Sequence, residues 1–293
     1  MDPAPPVGPP VADAIRLRGV SKLYGAHHAL REVTLSVPPS SVCGLIGPNG
    51  AGKSTLMAIV ATLLRPSAGS IEVFGVPIEE VARVRPLIGF VPDVLGTYTG
   101  LTVQEYLHFY AEAYRIPAHG RDAVVDALLD LVDLDGKRDA DLSSLSRGMK
   151  QRIALARGLV HDPRLLILDE PASGLDPRAR VQLRDIIARL RQRGVTVLIS
   201  SHILAELEEM CTHAIVLEQG VVVGFETLVG DPARTVVVSF LGQPAEEHRV
   251  TSDAEQAELV RSLVAAGRPV LGVTERGSRL EDRFLRLTDG RTN

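Results

Sequence analysis

The order of apolar and polar residues predicts short strands in the chain up to about residue 93. Short alternating or continuous apolar runs are typical of β-strands, and they occur here at 14–20, 34–37, 42–46, 71–74 and 88–91. The run at 42–46 leads into a glycine-rich turn and then into an apolar segment with helical period. The first part of the chain is therefore predicted to be mainly β-structure with one early helix.

The hydrophobic period changes between about residues 94 and 160. Thr102 and Glu105 have the spacing of a capping box, which predicts a helix from that point to about residue 114. Apolar residues then recur with helical period at 124–132 and 147–160. We expect an all-helical insertion between strands.

Strand patterns return after residue 160 as continuous apolar runs at 165–168, 195–199 and 214–217. Helical segments at 178–193 and 202–210 separate these runs. Strands that are apolar throughout and that alternate with helices are typical of a parallel sheet buried on both faces. The predicted fold class is therefore α/β.

The pattern changes once more beyond about residue 231. A small α+β region is predicted there, with segments at 235–240 (strand), 254–266 (helix), 270–273 (strand) and from Ser278 to about 287 (helix). We predict three parts of the chain: a disordered, proline-rich tail over 1–13, a main domain over 14–230 and an accessory domain over 231–293.

Composition narrows the possible functions. The 293 residues carry a formal charge of −4, and without a run of Lys or Arg no nucleic-acid partner is indicated. The two cysteines lie far apart beside apolar residues, which favours buried, reduced thiols in a cytosolic protein. No apolar stretch approaches the roughly 18 residues that span a bilayer, and residues 1–10 lack the features of a signal peptide. If the protein works at a membrane, another chain must supply the spanning helices.

The turn after the strand at 42–46 has the spacing Gly-x4-Gly-Lys-Ser/Thr, which is typical of a loop that cradles phosphates. The nine predicted nucleotide-binding residues are Gly47, Pro48, Asn49, Gly50, Ala51, Gly52, Lys53, Ser54 and Thr55. Glycines let backbone N–H groups turn inward toward phosphate, and the following helix adds its positive end. Lys53 is expected to reach the β- and γ-phosphates, and the Ser54 hydroxyl to bind Mg²⁺. The alternative is an ordinary glycine turn.

Two acids follow the apolar strand at 165–168. Asp169 is placed to hold Mg²⁺ together with Ser54, and Glu170 to orient or deprotonate the water that attacks the γ-phosphate. The alternative for this pair is a cap on the next helix.

With these motifs and those that follow, residues from about 15 to 225 resemble the ABC (ATP-binding cassette) ATPase family. Lys53 and Ser54 match its Walker A motif, and Asp169 and Glu170 its Walker B motif. Further matches are Ser146 and Gly148 (signature), residues 173–176 (D-loop), His202 (switch histidine) and Tyr24 (the aromatic that stacks on adenine). The resemblance implies a P-loop NTPase fold with a RecA-like parallel core, an N-terminal antiparallel β-subdomain and a helical subdomain at about 94–160.

Two positions depart from the family pattern. Asp93 stands where the Q-loop normally carries glutamine; it can bind Mg²⁺ or accept a hydrogen bond from the attacking water, but it cannot donate one. We therefore count Asp93 among the candidate catalytic and metal-binding residues. In the signature, Arg147 and Met149 replace glycine and glutamine, and Arg147 is expected either to extend toward a partner's nucleotide or to be solvated.

The resemblance implies an ATPase subunit of an ABC transporter with ATP and Mg²⁺ as cofactors. Two cassettes, identical or paralogous, would close head to tail over two ATP molecules and drive a separate transmembrane permease at the cytoplasmic face of the membrane. The single cassette with an α+β tail is similar to exporter-type subunits. The alternatives are a soluble ABC ATPase, such as an iron–sulfur assembly subunit, and a nucleotide-gated module without turnover.

Overall fold

The computed structural model describes residues 12–94, 96, 100–201, 203–228 and 234–275. His202, the first eleven residues of the predicted tail and the predicted last helix from Ser278 lie outside these ranges. Contacts divide the chain into two units, 1–226 and 227–293. The two units are described separately below.

The first unit contains ten strands and seven α-helices in its described residues. The strands are β1 (Ile15–Tyr24), β2 (His27–Val37), β3 (Val42–Ile46), β4 (Ala68–Val73), β5 (Val76–Pro77), β6 (Ile88–Val91), β7 (Leu165–Leu168), β8 (Thr196–Ser200), β9 (His213–Glu218) and β10 (Val221–Thr227). The helices are α1 (Lys53–Val60), α2 (Val81–Val84), α3 (Val103–Ala113), α4 (Ala118–Leu131), α5 (Arg147–Leu159), α6 (Pro177–Gln192) and α7 (Leu204–Met210).

A six-stranded sheet with the order β10-β9-β3-β8-β7-β6 forms the centre of this unit. The strands from β9 to β6 are parallel to one another, and every residue of β3, β7 and β8 is buried. This confirms the parallel sheet predicted from the continuous apolar runs, since such strands are covered on both faces.

A second sheet has the order β2-β1-β4-β5, and its pairs are antiparallel. Its first two strands are longer than predicted, because β1 continues to Tyr24 and β2 begins at His27. A two-residue turn joins them, with Gly25 at a φ of 58°. The prediction missed these ends because buried and exposed residues do not alternate strictly there, where the β1–β2 pair carries register shifts.

The predicted helical insertion is confirmed as α3, α4 and α5. The capping box is also confirmed: the Thr102 hydroxyl accepts from the Glu105 N–H, and the Glu105 carboxylate accepts from the Thr102 N–H. Helix α5 lies very close to β6, because a β-carbon built on Gly89 would be 2.2 Å from the carbonyl oxygen of Gly158. The C-terminal end of α5 is thus held close against the parallel sheet.

The described part of the second unit is a three-stranded antiparallel sheet with one helix. Its elements are β11 (Arg234–Phe240), β12 (Gln243–Val250), α8 (Asp253–Ala265) and β13 (Val270–Glu275), and the strand order is β12-β11-β13. Strand β12 was not predicted, because most of its residues are polar and exposed. The α+β character of this region is confirmed.

Both cysteines are buried and unpaired, and burial raises the pKa of the Cys43 and Cys211 thiols. In the residues that the structure describes, no helix has the length and apolar character needed to cross a bilayer.

Candidate functional site

The loop between β3 and α1 is shaped by close backbone approaches. A β-carbon on Gly47 would lie 2.2 Å from the carbonyl oxygen of Leu217, and one on Gly52 would lie 2.5 Å from that of Ala29. Gly52 also has a φ of 105°, which other residues rarely adopt. These two positions therefore require glycine, and the loop is held tightly at the carboxyl end of its strand.

Lys53 folds back over this loop. Its Nζ donates to the carbonyl oxygens of Gly47, at 2.7 Å, and Pro48, at 3.2 Å, and the residue is only 7% exposed. An ammonium group has three donors, so this geometry leaves capacity for an anion above the loop. Ser54 is exposed in the first turn of α1, where helix N–H groups favour negative charge.

A buried hydroxyl at the end of β8 holds the two acids that follow β7. Ser200 Oγ donates to Asp169 Oδ1 at 2.7 Å and accepts from the Glu170 N–H at 2.8 Å. Glu170 itself has a φ of 48°, an uncommon conformation for a residue with a side chain. One serine therefore fixes a carboxylate oxygen and the backbone of the adjacent acid.

The register of the parallel strands brings these groups to one edge of the sheet. Leu168 pairs with Ile199 and Leu45 pairs with Ser200, so the residues after β3, β7 and β8 emerge side by side. The phosphate loop and Asp169 are separated by the width of strand β8. This is the edge at which ligands bind in open α/β sheets.

Two other candidates lie near strand ends. Asp93 is exposed two residues after β6, the outermost strand of the parallel sheet. Tyr24 ends β1 with 49% of the residue exposed, and Lys22 Nζ lies 5.2 Å from the centroid of its ring. His202, outside the described residues, follows Ser201, which begins the connection from β8 to α7.

The signature residues form the start of α5. Ser146 caps this helix, and its Oγ accepts from the Met149 N–H at 3.3 Å. A β-carbon on Gly148 would lie 2.9 Å from the Ala179 Cβ of α6. Arg147 is exposed, as one of the two expectations had it, and its guanidinium also donates to the Ser173 carbonyl oxygen at 2.8 Å, because the turn after β7 passes directly beside it.

The predicted residues thus form two groups with different neighbours. The phosphate loop contacts Ala29, Leu217 and Gly220, whereas the start of α5 contacts the 173–176 turn and Ala179. Asp169 and Glu170 lie at the same edge of the sheet as the first group, and the chain continues from them into the 173–176 turn of the second group.

Ser200 is a site residue that sequence reasoning missed. The available signal was a hydroxyl at the last position of an otherwise apolar strand, directly before Ser201 and His202. Its role depends on the register of β7 and β8, which the sequence does not contain.

The fold and this edge of the sheet define a nucleotide-binding protein of the phosphate-loop class. Residues 30–173 match the family model described as ABC transporter. The chain is 37% identical to the Nod factor export ATP-binding protein I of Rhizobium meliloti (strain 1021), over 94% of this chain and 88% of that protein. The chain therefore belongs to the ABC transporter family, and it is an ATP-binding subunit with ATPase activity.

Solved structures agree with this assignment. The cbiO1 protein from Clostridium perfringens, part of the ABC transporter complex cbiONQ, matches with a TM-score of 0.69 and 27% identity over 74% of this chain and 89% of that one. A dimeric ATP-binding cassette in a post-hydrolysis state, bound to ADP and Pi, matches with a TM-score of 0.67 and 26% identity over 74% and 99% of the two chains. The predicted cassette fold is thereby confirmed.

The Ser200 bridge generates a prediction. We expect Ser200→Ala to lower kcat for ATP several-fold, because Asp169 and Glu170 lose their common hydrogen-bond partner, and to cost about 1 kcal/mol of unfolding free energy. Steady-state ATPase and chemical denaturation measure the two effects.

Thr196→Val is the matched control, since Thr196 Oγ1 accepts from the Ser40 N–H at 3.0 Å at the opposite end of the same strand. It should lose comparable stability and keep the wild-type kcat. Equal kcat values for the two variants would contradict a role for Ser200 in the site.

Proposed function

We propose that this chain is one half of a head-to-tail cassette pair that hydrolyses Mg²⁺–ATP and drives a separate membrane permease in export. The direction is supported by relatives that are named for Nod factor export. The pair consists of two identical chains or of this chain and a paralogous cassette. In either case it is the permease that determines the substrate.

The observation that carries this proposal is the separation of the two groups of site residues. The start of α5, with Ser146 and Gly148, contacts its own 173–176 turn and α6, whereas the phosphate loop contacts Ala29, Leu217 and Gly220. Its N–H groups can bind an anion. In a head-to-tail pair, that anion is the γ-phosphate of the ATP bound to the other chain's phosphate loop.

Each residue of the site has a defined task in this proposal. The 47–55 loop and Lys53 bind the phosphates, Tyr24 stacks on adenine, and His202 donates to a γ-phosphate oxygen. Glu170 orients or deprotonates the attacking water. Phosphoryl transfer of this kind depends mainly on positioning and on stabilisation of charge.

The donors at this edge of the sheet fit Mg²⁺. This ion is usually held by one or two carboxylates, with water and substrate phosphates completing its coordination. Asp169 offers a carboxylate that Ser200 fixes through Oδ1, Ser54 offers an exposed hydroxyl, and Asp93 offers a second carboxylate. The described residues contain no group of three or more His, Cys, Asp or Glu that could hold a metal. Bound there, Mg²⁺ would neutralise charge that develops on the phosphates.

The remaining parts of the chain take their roles from this assignment. We assign residues 14–230 to the cassette, with the helical region at about 94–160 as the part that contacts the permease. Residues 231–293 form the accessory domain. A subunit that works with a permease lies at the cytoplasmic face of the membrane through that partner.

The closing of the pair can be tested with Glu170→Gln. We expect this change to lower kcat by about 100-fold or more and to make the protein dimerise when ATP is added, because bound ATP is no longer consumed. Light scattering with and without ATP measures the mass.

Adding Ser146→Arg should abolish this dimer, since a bulky cation replaces the cap that faces the partner's phosphate. Glu112→Gln makes the same change as Glu170→Gln at an exposed carboxylate on α3. This control should keep the wild-type kcat and the wild-type response to ATP. A dimer that persists with Ser146→Arg would contradict the head-to-tail arrangement.

The separate permease has its own test. We expect the tagged chain, expressed with the membrane proteins encoded beside it and extracted in mild detergent, to purify with one of them in a fixed ratio. Reconstitution of this complex should make ATPase activity respond to transported substrate. Activity found only in a membrane-free fraction, with no such partner, would instead indicate a soluble ABC ATPase.

The carboxylate of Asp93 leads us to expect that ATP affinity depends strongly on Mg²⁺. Its carboxylate adds negative charge near the triphosphate, so ATP binding should need Mg²⁺ more in the wild type than in Asp93→Gln. We expect the ratio of ATP Kd values without and with Mg²⁺ to fall about 3- to 10-fold in the variant. Calorimetric titration measures it, with Asp122→Asn on α4 as the control. An unchanged ratio would place Asp93 away from the metal and phosphates.

A further inference from the structure

The Arg147 guanidinium contacts two consecutive residues of the turn that follows β7. One Nη donates to the Ser173 carbonyl oxygen at 2.8 Å. A β-carbon built on Gly174 would lie 2.5 Å from the Arg147 Cζ and within 2.8 Å of both Nη atoms. The guanidinium therefore covers the space into which a side chain at position 174 would project.

The same turn is connected to the catalytic acid. The Ser173 N–H donates to the Glu170 carbonyl oxygen at 3.1 Å, and the turn ends at Asp176, whose carboxylate caps α6 by accepting from the Ala179 N–H at 2.9 Å. Arg147 thus connects the start of α5 to a short segment that has Glu170 at one end and α6 at the other.

Electrostatics favour this contact. Arg147 is the first residue of α5, and a cation is disfavoured at the positive end of a helix. The Ser173 carbonyl presents the negative end of a peptide dipole to the guanidinium and offsets this repulsion. The side chain is consequently directed toward the turn of its own chain.

A second contact holds the same two segments together. Gly148, the next residue of α5, approaches α6 so closely that a β-carbon there would be 2.9 Å from the Ala179 Cβ. The start of α5 is therefore positioned against the 173–176 turn both by packing and by a hydrogen bond. Only the hydrogen bond depends on Arg147.

We propose that Arg147 is a positioning residue that holds the 173–176 turn, and through it Glu170, in register with the signature end of α5. This inference rests on the proposed function, since it requires both Glu170 and the start of α5 to act on nucleotide. It assigns the unusual arginine of the signature to its own chain's hydrolytic apparatus. Contact with the partner's nucleotide is not part of this role.

The first test is the separate effect on kcat and KM. We expect Arg147→Ala to lower kcat for ATP about 3- to 20-fold and to change KM less than about twofold, because the turn is released while the phosphate loop is untouched. Arg147→Lys should recover part of the kcat, since an ammonium group can donate to the Ser173 carbonyl. Lys150→Ala is the control: it also removes one positive charge from α5, but the hydrogen bond that it breaks goes to the Ser143 carbonyl oxygen, at 3.1 Å. This variant should keep the wild-type kcat.

The second test is a double-mutant cycle with Gly174→Ala, which displaces the guanidinium. Arg147→Ala should then lower kcat less than about twofold in the Gly174→Ala background, because the contact is already lost. Gly194→Ala introduces alanine at a comparable φ of 85°, with only Ser40 Oγ nearby, at 3.8 Å, and should leave the full effect of Arg147→Ala in place. The Arg147→Ala and Arg147→Lys comparison stands even if Gly174→Ala does not fold.

Three outcomes would overturn the inference. A raised KM with unchanged kcat in Arg147→Ala would mean that the guanidinium acts on nucleotide. Equal effects of Arg147→Ala in the wild-type and Gly174→Ala backgrounds would mean that its contact with the turn has no functional role. Wild-type kinetics in Arg147→Ala would mean that the arginine itself has no functional role. Glu170→Gln is assayed in parallel. If Glu170→Gln loses turnover while Arg147→Ala keeps the wild-type kcat, only this inference is refuted. If Glu170→Gln retains turnover, the proposed function is refuted.

Discussion

The structure depends on a single constraint: the register of the buried parallel strands. Because β3, β8 and β7 run in the same direction and pair along their lengths, the loops that leave them meet at one edge. This alignment brings Lys53, Ser200 and Asp169 to neighbouring positions although they lie far apart in the sequence. A shift of one residue in β8 would turn the Ser200 hydroxyl to the other face of the sheet and separate the two acids from their partner.

The parts of this arrangement that the sequence predicts are those with a local physical signature. Glycines followed by Lys53, an apolar strand that ends in Asp169 and the capping box at Thr102 each report a backbone requirement within a few residues. The parallel sheet and the helical insertion follow from hydrophobic period in the same way. The limits are equally physical: β12 is polar along most of its length, and the bridge made by Ser200 exists only after two strands have paired. The orientation of Arg147 depends on a turn that is distant in the sequence.

Several residues around the site hold uncommon backbone conformations. Glu170 and Gly174 have φ values of 48° and 65°, and such conformations cost about 1 kcal/mol or more for a residue with a side chain. At Glu170 the hydrogen bond from its N–H to Ser200 opposes this cost. At Gly174 the absence of a side chain removes it and also makes room for the guanidinium. The short segment between β7 and α6 is therefore held by contacts from a neighbouring strand and a neighbouring helix more than by its own conformational preference.

The position of the Lys53 ammonium has a consequence for the interval between turnovers. Since its Nζ already donates to the carbonyl oxygens of Gly47 and Pro48, the departure of product does not leave a buried cation without hydrogen-bond partners. In the proposed site, the hydrogen bonds that connect the Lys53 ammonium to the binding loop are thus supplied by the protein itself.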